Sequence, residues 1–480
     1  MGLHTEAVRS FNSHAKRLID LLVPRKVGPR SSPSRDNDTH VTHTLGPSDI
    51  DAASFREYLA DHAGNKHACY FFVEGRGVMG LEGLGHDAIL RLAGRLASHA
   101  TYSEVLSGEF IYDCIVDWLQ LAAASEQSAG SFVAFLEEAA SREVKAQEIW
   151  LPIPTVSISR PFKIGAVEFR RVTKAMMDDY ATSVGAGPTS KESSSFDHVR
   201  TKLQAVTAAV VKVTAERIKA AEVAALESES AIGMLRFACP TLMIADHWAP
   251  IAPDLIDGLG AAVHLTVIDG KISQHSSQVP AGRLLQWLLE PHEIARDSEV
   301  IWGHASALLT AERSAFQDIL LKCLLHYSKS VLKADVSERL LYVVSALEAL
   351  FVRRSEAIVQ NLAERLAMIQ GGNVDERLAI IRLVEQTYDL RSRFVHGALP
   401  ASDLELLTRF YKRVWALFLY LLSNHECWKS KDEFIEYVDS YKFRGPVVDT
   451  SDRHGDKAQR SSASAPADLR ALIHPKCKFV

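Results

Sequence analysis

The stretch ERLAIIRLVEQTYDLRSRFVHG, residues 376–397, decides how the second half of this chain folds. Its apolar residues recur every three or four positions, through Ile380, Ile381, Val384 and Tyr388, which is the period of one face of an α-helix. Gly397 is a natural residue to follow a helix and Pro400 stands three further on, so the helix is predicted to stop at His396. Four neighbours share this texture: AFQDILLKCLLHYSKSVLK, SERLLYVVSALEALFVRR and AIVQNLAERLAMIQ before it, and LELLTRFYKRVWALFLYLLSN after it. Amphipathic segments joined by short polar breaks predict a helical bundle over residues 306–430.

Towards the N-terminus the texture changes. Residues 49–305 read as a mixed α/β region, a sensor or recognition domain. A short helix is expected over SFREYLADH, a strand over ACYFFVE, and helices over LRLAGRLASH, FIYDCIVDWLQLAAA and SFVAFLEEAASREVKAQEI. LPIPTVSISR and FKIGAVEFRRV are extended and broken by Pro161 and Gly165, as a hairpin or a pair of edge strands would be. A long helix is expected over about residues 196–237, where Ala, Val, Lys and Glu run without Pro or Gly until Gly233. AAVHLTVIDGKISQ reads as a hairpin turning at Asp269-Gly270. At the ends, residues 1–48 read as an N-terminal helix outside any core followed by a polar Pro/Ser-rich linker, and residues 431–480 as a largely disordered tail. The fold class is α+β, predominantly helical, with a mixed α/β N-terminal region before a C-terminal bundle.

The 480 residues are 47% hydrophobic and 24% charged, the balance of a soluble globular protein. No apolar run approaches the roughly 18 residues of a spanning helix, and the N-terminus lacks a signal-peptide core. The six cysteines are scattered without CxxC spacing, which suits reduced thiols and a cytoplasmic location. A net charge of −5 argues against a generally basic nucleic-acid coat, while leaving room for a local basic cleft.

Gly75-Arg76-Gly77-Val78-Met79-Gly80 matches GxGxxG, but Leu81 to Gly85 intervene before the next helix, so a surface turn is the better reading. GxxxxGK[ST], GxSxG and HExxH are absent, and His67-Ala68-Cys69 and His425-Glu426-Cys427 are isolated pairs. No cofactor and no metal is expected.

The candidate site lies at the end of the opening stretch. Arg followed five positions later by His occurs three times, at Arg9/His14, Arg35/His40 and Arg391/His396, and only the last pair falls inside the predicted bundle. Ser392 and His396 are i and i+4 on one helix face, and the long side chain of Arg391 reaches the same region. Such a set suits acid–base chemistry on a phosphate, with Arg391 holding the anion, Ser392 donating a hydrogen bond and His396 moving a proton. Arg and His beside the negative end of a helix dipole are equally an ordinary helix terminus, and spacing does not choose between the two.

Residues 338–397 resemble the HEPN superfamily, and more closely its Apea-like members in bacterial defence-associated proteins. Three blocks carry the likeness: ERLLYVVSALEALF, SEAIVQNLAERLAMI and YDLRSRFVHG, the last resembling the family's Arg-polar-x3-His motif through Arg391, Ser392 and His396. The resemblance covers about residues 310–425. It implies a HEPN-like bundle that homodimerises and a metal-independent endoribonuclease, toxin-like in antiphage or stress defence. In that scheme the ribose 2′-hydroxyl attacks the adjacent phosphate. His396 is the general acid or base, Arg391 stabilises charge on the phosphorane, Ser392 stands where many members have Asn, and Glu348 matches an acidic position that either holds Arg391 or is a helix carboxylate paired for structure. Arg339, Arg353, Arg354 and Arg393 read either as a modest basic cleft for RNA once two chains pair or as solvated helix faces. The implied partners are RNA, a second copy of the chain, and a phage or cellular trigger sensed by the N-terminal region, with no membrane. The alternative is a non-catalytic HEPN module for RNA binding or protein assembly.

Overall fold

Phe11, Ala15 and Leu18 follow one another at helical spacing and are buried together in the computed structural model of the protein. The structure describes residues 2–25, 55–60, 66–125, 130–183, 203, 205–247, 249–253, 263–268, 271–277, 287–310, 312–333, 335–397 and 403–442. Its contacts define two compact units, one of residues 1–147 with 212–223 and one of residues 148–211 with 224–480. The divisions expected at 48/49, 305/306 and 430/431 are not the ones that separate them.

In the first unit, helix α1 (Thr5–Ile19) is part of the core rather than an isolated terminal helix, because its apolar stripe needs cover. A four-stranded sheet has the order β1-β4-β3-β2, with β1 Val23–Pro24, β2 Arg56–Ala60, β3 Lys66–Val73 and β4 Gly77–Glu82. Helices α2 (Leu84–Ala97), α3 (Gly108–Ala124) and α4 (Phe132–Glu143) complete it. Strand β2 replaces the short helix expected over SFREYLADH. It pairs antiparallel with β3, and its period of two sends Arg56 and Tyr58 to Asp117 and Asp113, one turn apart on α3. Gly75 and Gly77 take positive φ values of 75° and 76° in the β3–β4 turn, and a Cβ on Gly80 would lie 2.3 Å from the Cys69 carbonyl oxygen. The GxGxxG glycines therefore serve a hairpin.

The second unit carries most of a six-stranded sheet of order β11-β10-β5-β9-β8-β7, with β5 Lys145–Ile153, β7 Phe162–Ile164, β8 Val167–Arg171, β9 Thr207–Ala215, β10 Val263–Ile268 and β11 Lys271–Ser277. β6 (Val156–Ile158) and β12 (Trp287–Leu289) form a separate parallel pair. The β7–β8 and β10–β11 hairpins were legible in the sequence, although Asp269-Gly270 lies outside the described residues. Two helix readings fail on this sheet. α4 stops at Glu143 and the chain enters β5, and the long helix expected over 196–237 is β9 followed by helix α6 (Arg217–Ala238). Thr207 to Val211 are buried without a break, as a central strand demands.

The remaining helices are α5 (Lys174–Ser183), α7 (Pro291–Asp297), α8 (Gly303–Thr310), α9 (Ala315–Ser328), α10 (Val336–Phe351), α11 (Ile358–Gln370), α12 (Val374–Gly397), α13 (Leu404–Ser423) and α14 (Lys431–Ser440). A π-helical turn, Ser298–Trp302, joins α7 to α8. Residues 431–440, expected in a disordered tail, form a packed helix. Phe434 of α14 meets Phe316, Phe351 and Trp428 at ring separations of 5.2, 5.7 and 5.0 Å. Arg365, 2% exposed, holds the same helix through Asp439 and the α10–α11 turn through Glu356 and the Phe351 carbonyl. The fold is thus α+β and mostly helical. Among the described residues no helix is long and apolar enough to cross a membrane.

Candidate active site at the end of α12

Helix α12 is capped at its start by Asn373, whose side chain accepts from Glu376 N at 2.9 Å. Ile380, Val384, Thr387, Tyr388 and Leu390 are buried along it. It runs one residue beyond the predicted stop, through Gly397, and residues 398–402 lie outside the described residues. Burial on one side leaves the other side open. Ser392 and His396 are exposed, while Arg391 is half-buried.

The link between the two recognised blocks is Tyr388, a residue that reading the sequence missed. Its hydroxyl donates to Glu348 Oε1 at 2.9 Å, tying α12 to α10 one turn before Arg391. Burial first, then the charge of Glu348 and the hydrogen bond to it, hold this hydroxyl well above its ordinary pKa, so it remains a donor; Arg391 pulls weakly the other way. Of the two readings of Glu348, the structure matches a carboxylate paired for structure, since Tyr388 takes it and no ion pair with Arg391 is formed. Arg391 Nε is buried and has no hydrogen-bond partner, so the guanidinium is placed by packing beside Tyr388. The one signal available in advance was position: Tyr388 precedes Arg391 by three and Ser392 by four, on adjoining helix rows.

The basic-cleft reading loses most of its members. Arg339 is 1% exposed and donates to the carbonyls of Thr241, Ile244, Ala245 and His247, which makes it a structural arginine. Arg353 pairs with Asp432 at 2.9 Å and with Glu436 at 3.7 Å, and Arg393 pairs with Asp389 at 3.2 Å. Arg354 is exposed. Arg391, Ser392 and His396 do not line the cavities beside Arg9, Glu229 and Trp150.

Of the other Arg/His pairs, His14 has its ring nitrogens on Ser10 O at 2.7 Å and Arg95 Nη1 at 3.2 Å, so it is structural; Arg35 and His40 lie outside the described residues. Cys69, Cys114, Cys239 and Cys323 are buried free thiols and Cys427 is exposed. Among the described residues no group of three or more His, Cys, Asp or Glu is placed to hold a metal ion. Comparison of the chain with models of protein families, with curated proteins and with solved structures finds no match.

Proposed function

We propose that the protein is an endoribonuclease of HEPN type that cleaves RNA without a bound metal, as a toxin-like effector in bacterial antiphage or stress defence. The observation that carries this reading is the open placement of Ser392 and His396 one turn apart, with Arg391 beside them, on a helix end fixed by the Tyr388–Glu348 hydrogen bond. In the reaction, the ribose 2′-oxygen bonds to the adjacent phosphorus and the bond from phosphorus to the 5′-oxygen breaks. The 2′-hydroxyl proton passes to a base and the 5′-oxygen receives one, leaving a 2′,3′-cyclic phosphate and a 5′-hydroxyl. His396 fills one of these roles, and Arg391 and Ser392 meet the charge that grows on the phosphate.

Because Ser392 and His396 lie on an open surface with Arg391 half-buried beside them, the reading includes a second copy of the chain, whose own motif would face the first and exclude water. The same openness favours the second reading, in which the bundle binds RNA or a protein without cutting. Purified protein assayed on RNA with a chelator present separates the two. General acid–base groups contribute about 100- to 10,000-fold, so His396→Ala and Arg391→Ala are each expected to lose at least that lower factor while remaining folded. Equal rates in the wild type and both variants would overturn the nuclease, and binding without cleavage by all three would establish the scaffold.

A further inference from the structure

A cavity of about 270 Å³ lies wholly within the second unit and away from the α12 motif. Glu229 and Arg236 of α6, Lys329, Leu332 and Lys333 at the end of α9, and Tyr342 of α10 line it. We propose that this cavity is a binding site for the phosphate group of a small phosphorylated molecule.

The argument starts from Arg236, which is only 2% exposed. Its Nε is fully used, donating to the Ile251 carbonyl at 2.6 Å. Its Nη1 reaches Glu229 Oε1 at 3.4 Å, the long end of a hydrogen bond, and its Nη2 has no partner among the described residues. That same carboxylate oxygen also serves Lys329 Nζ at 3.3 Å, and Glu229 is 43% exposed. One half-open carboxylate is thus shared between a buried guanidinium and an ammonium. Lys333 adds a third cation and leans on Glu338 at 3.4 Å. A buried charge without close compensation is costly, and desolvation indeed lowers the pKa of Arg236. A second anion in the cavity supplies what Glu229 does not.

The chemistry of the wall selects the anion. The remaining guanidinium nitrogen of Arg236 and two flexible ammonium groups, with Tyr342 beside them, offer donors to a tetrahedral oxyanion, and the three cations exceed the carboxylates of Glu229 and Glu338 by one. The volume admits a phosphate with a few carbon atoms, and excludes a run of stacked nucleotides. The site therefore answers to a small molecule, whereas the α12 motif answers to a polymer.

Isothermal titration of the full chain with orthophosphate and with glycerol 3-phosphate, against chloride at matched ionic strength, tests this. Saturable one-to-one binding that chloride does not reproduce is expected; tighter binding of the ester identifies an organic phosphate as the ligand, and equal binding identifies the free ion. Losing one charge-assisted contact, Lys329→Met should weaken binding about tenfold. Glu229→Gln removes the competing carboxylate and should tighten it by about the same factor, a direction that simple damage to the fold would not produce. His396→Ala should leave it unchanged. The proposal is overturned by an equal response to chloride, by Glu229→Gln binding no tighter, by Lys329→Met binding as well as the wild type, or by loss of binding in His396→Ala, which would put the phosphate at α12.

Discussion

Replacing Arg365 by methionine should detach α14 from the helices it packs on. The guanidinium makes five hydrogen bonds: to Phe351 O at 2.5 Å, to Glu356 Oε2 and Oε1 at 2.6 and 2.9 Å, and to Asp439 Oδ1 and Oδ2, both at 2.9 Å. Removing one partner of a buried ionic cluster costs about 3–5 kcal/mol. Glu356 and Asp439 remain 23% and 27% exposed and regain some water, so a loss of about 3 kcal/mol is expected here. Urea unfolding followed by the fluorescence of Trp428, which packs against Phe434 of α14, gives the stability, and hydrogen exchange of residues 431–440 gives the local opening. The effect carries a pH signature. The hydrogen bonds from Arg365 hold the Glu356 carboxyl down at about 2, against an ordinary value of 4.5. For Asp439, burial alone would raise the pKa, but the Arg365 hydrogen bonds and charge outweigh it and the net shift is downward. A depressed carboxyl stabilises the fold above its unfolded pKa and ceases to do so as pH falls through the folded one. The gap between wild type and variant should therefore be constant from pH 7 to about 5, then narrow as pH falls from about 4.5 towards 2. A loss below about 1 kcal/mol at pH 7, or a gap undiminished at pH 3, would refute the reasoning.

Three further outcomes follow from other contacts. Tyr388→Phe should cost about 1 kcal/mol in thermal unfolding by leaving Glu348 without its donor, and should slow RNA cleavage by misplacing the end of α12. Arg339→Met should destabilise by about 3–5 kcal/mol in denaturant titration, since four carbonyls lose a charged donor, and should leave the salt dependence of RNA binding by the folded fraction unchanged because this cation is not on the surface. Gly80→Ala should lower the denaturant midpoint by an amount equivalent to about 2 kcal/mol or more, because the new methyl would meet the Cys69 carbonyl oxygen and the Tyr70 ring within 2.4 Å.

The helices of the second half could be read from residue types because each is long, amphipathic and bounded by polar breaks. The failures occurred where helix and strand periods are both satisfied. In TAAVVKVTA every residue from Thr207 to Val211 is apolar or small, so no period separates a buried strand from a buried helix, and only the flanking strands β5 and β8 decide. In REYLA the deciding contacts are those of Arg56 and Tyr58 to α3, 55 or more residues away in sequence. For the candidate site, the exposed side of α12 was implied by its apolar stripe, which placed Ser392 and His396. The role of Tyr388 and the withdrawal of Arg339 into the interior depend on α10 and on the carbonyls of residues 241–247, which no local pattern announces.

The aromatic cluster around Phe434 bears on how this chain can be divided for study. A fragment ending at residue 430, where the sequence texture suggests a boundary, would leave Phe316, Phe351 and Trp428 facing water and Arg365 without Asp439. Such a fragment would expose a sticky aromatic face and aggregate on expression, and the loss of activity that followed would say nothing about the motif at α12. The shortest helical fragment worth isolating therefore carries α14 to its last turn at Ser440.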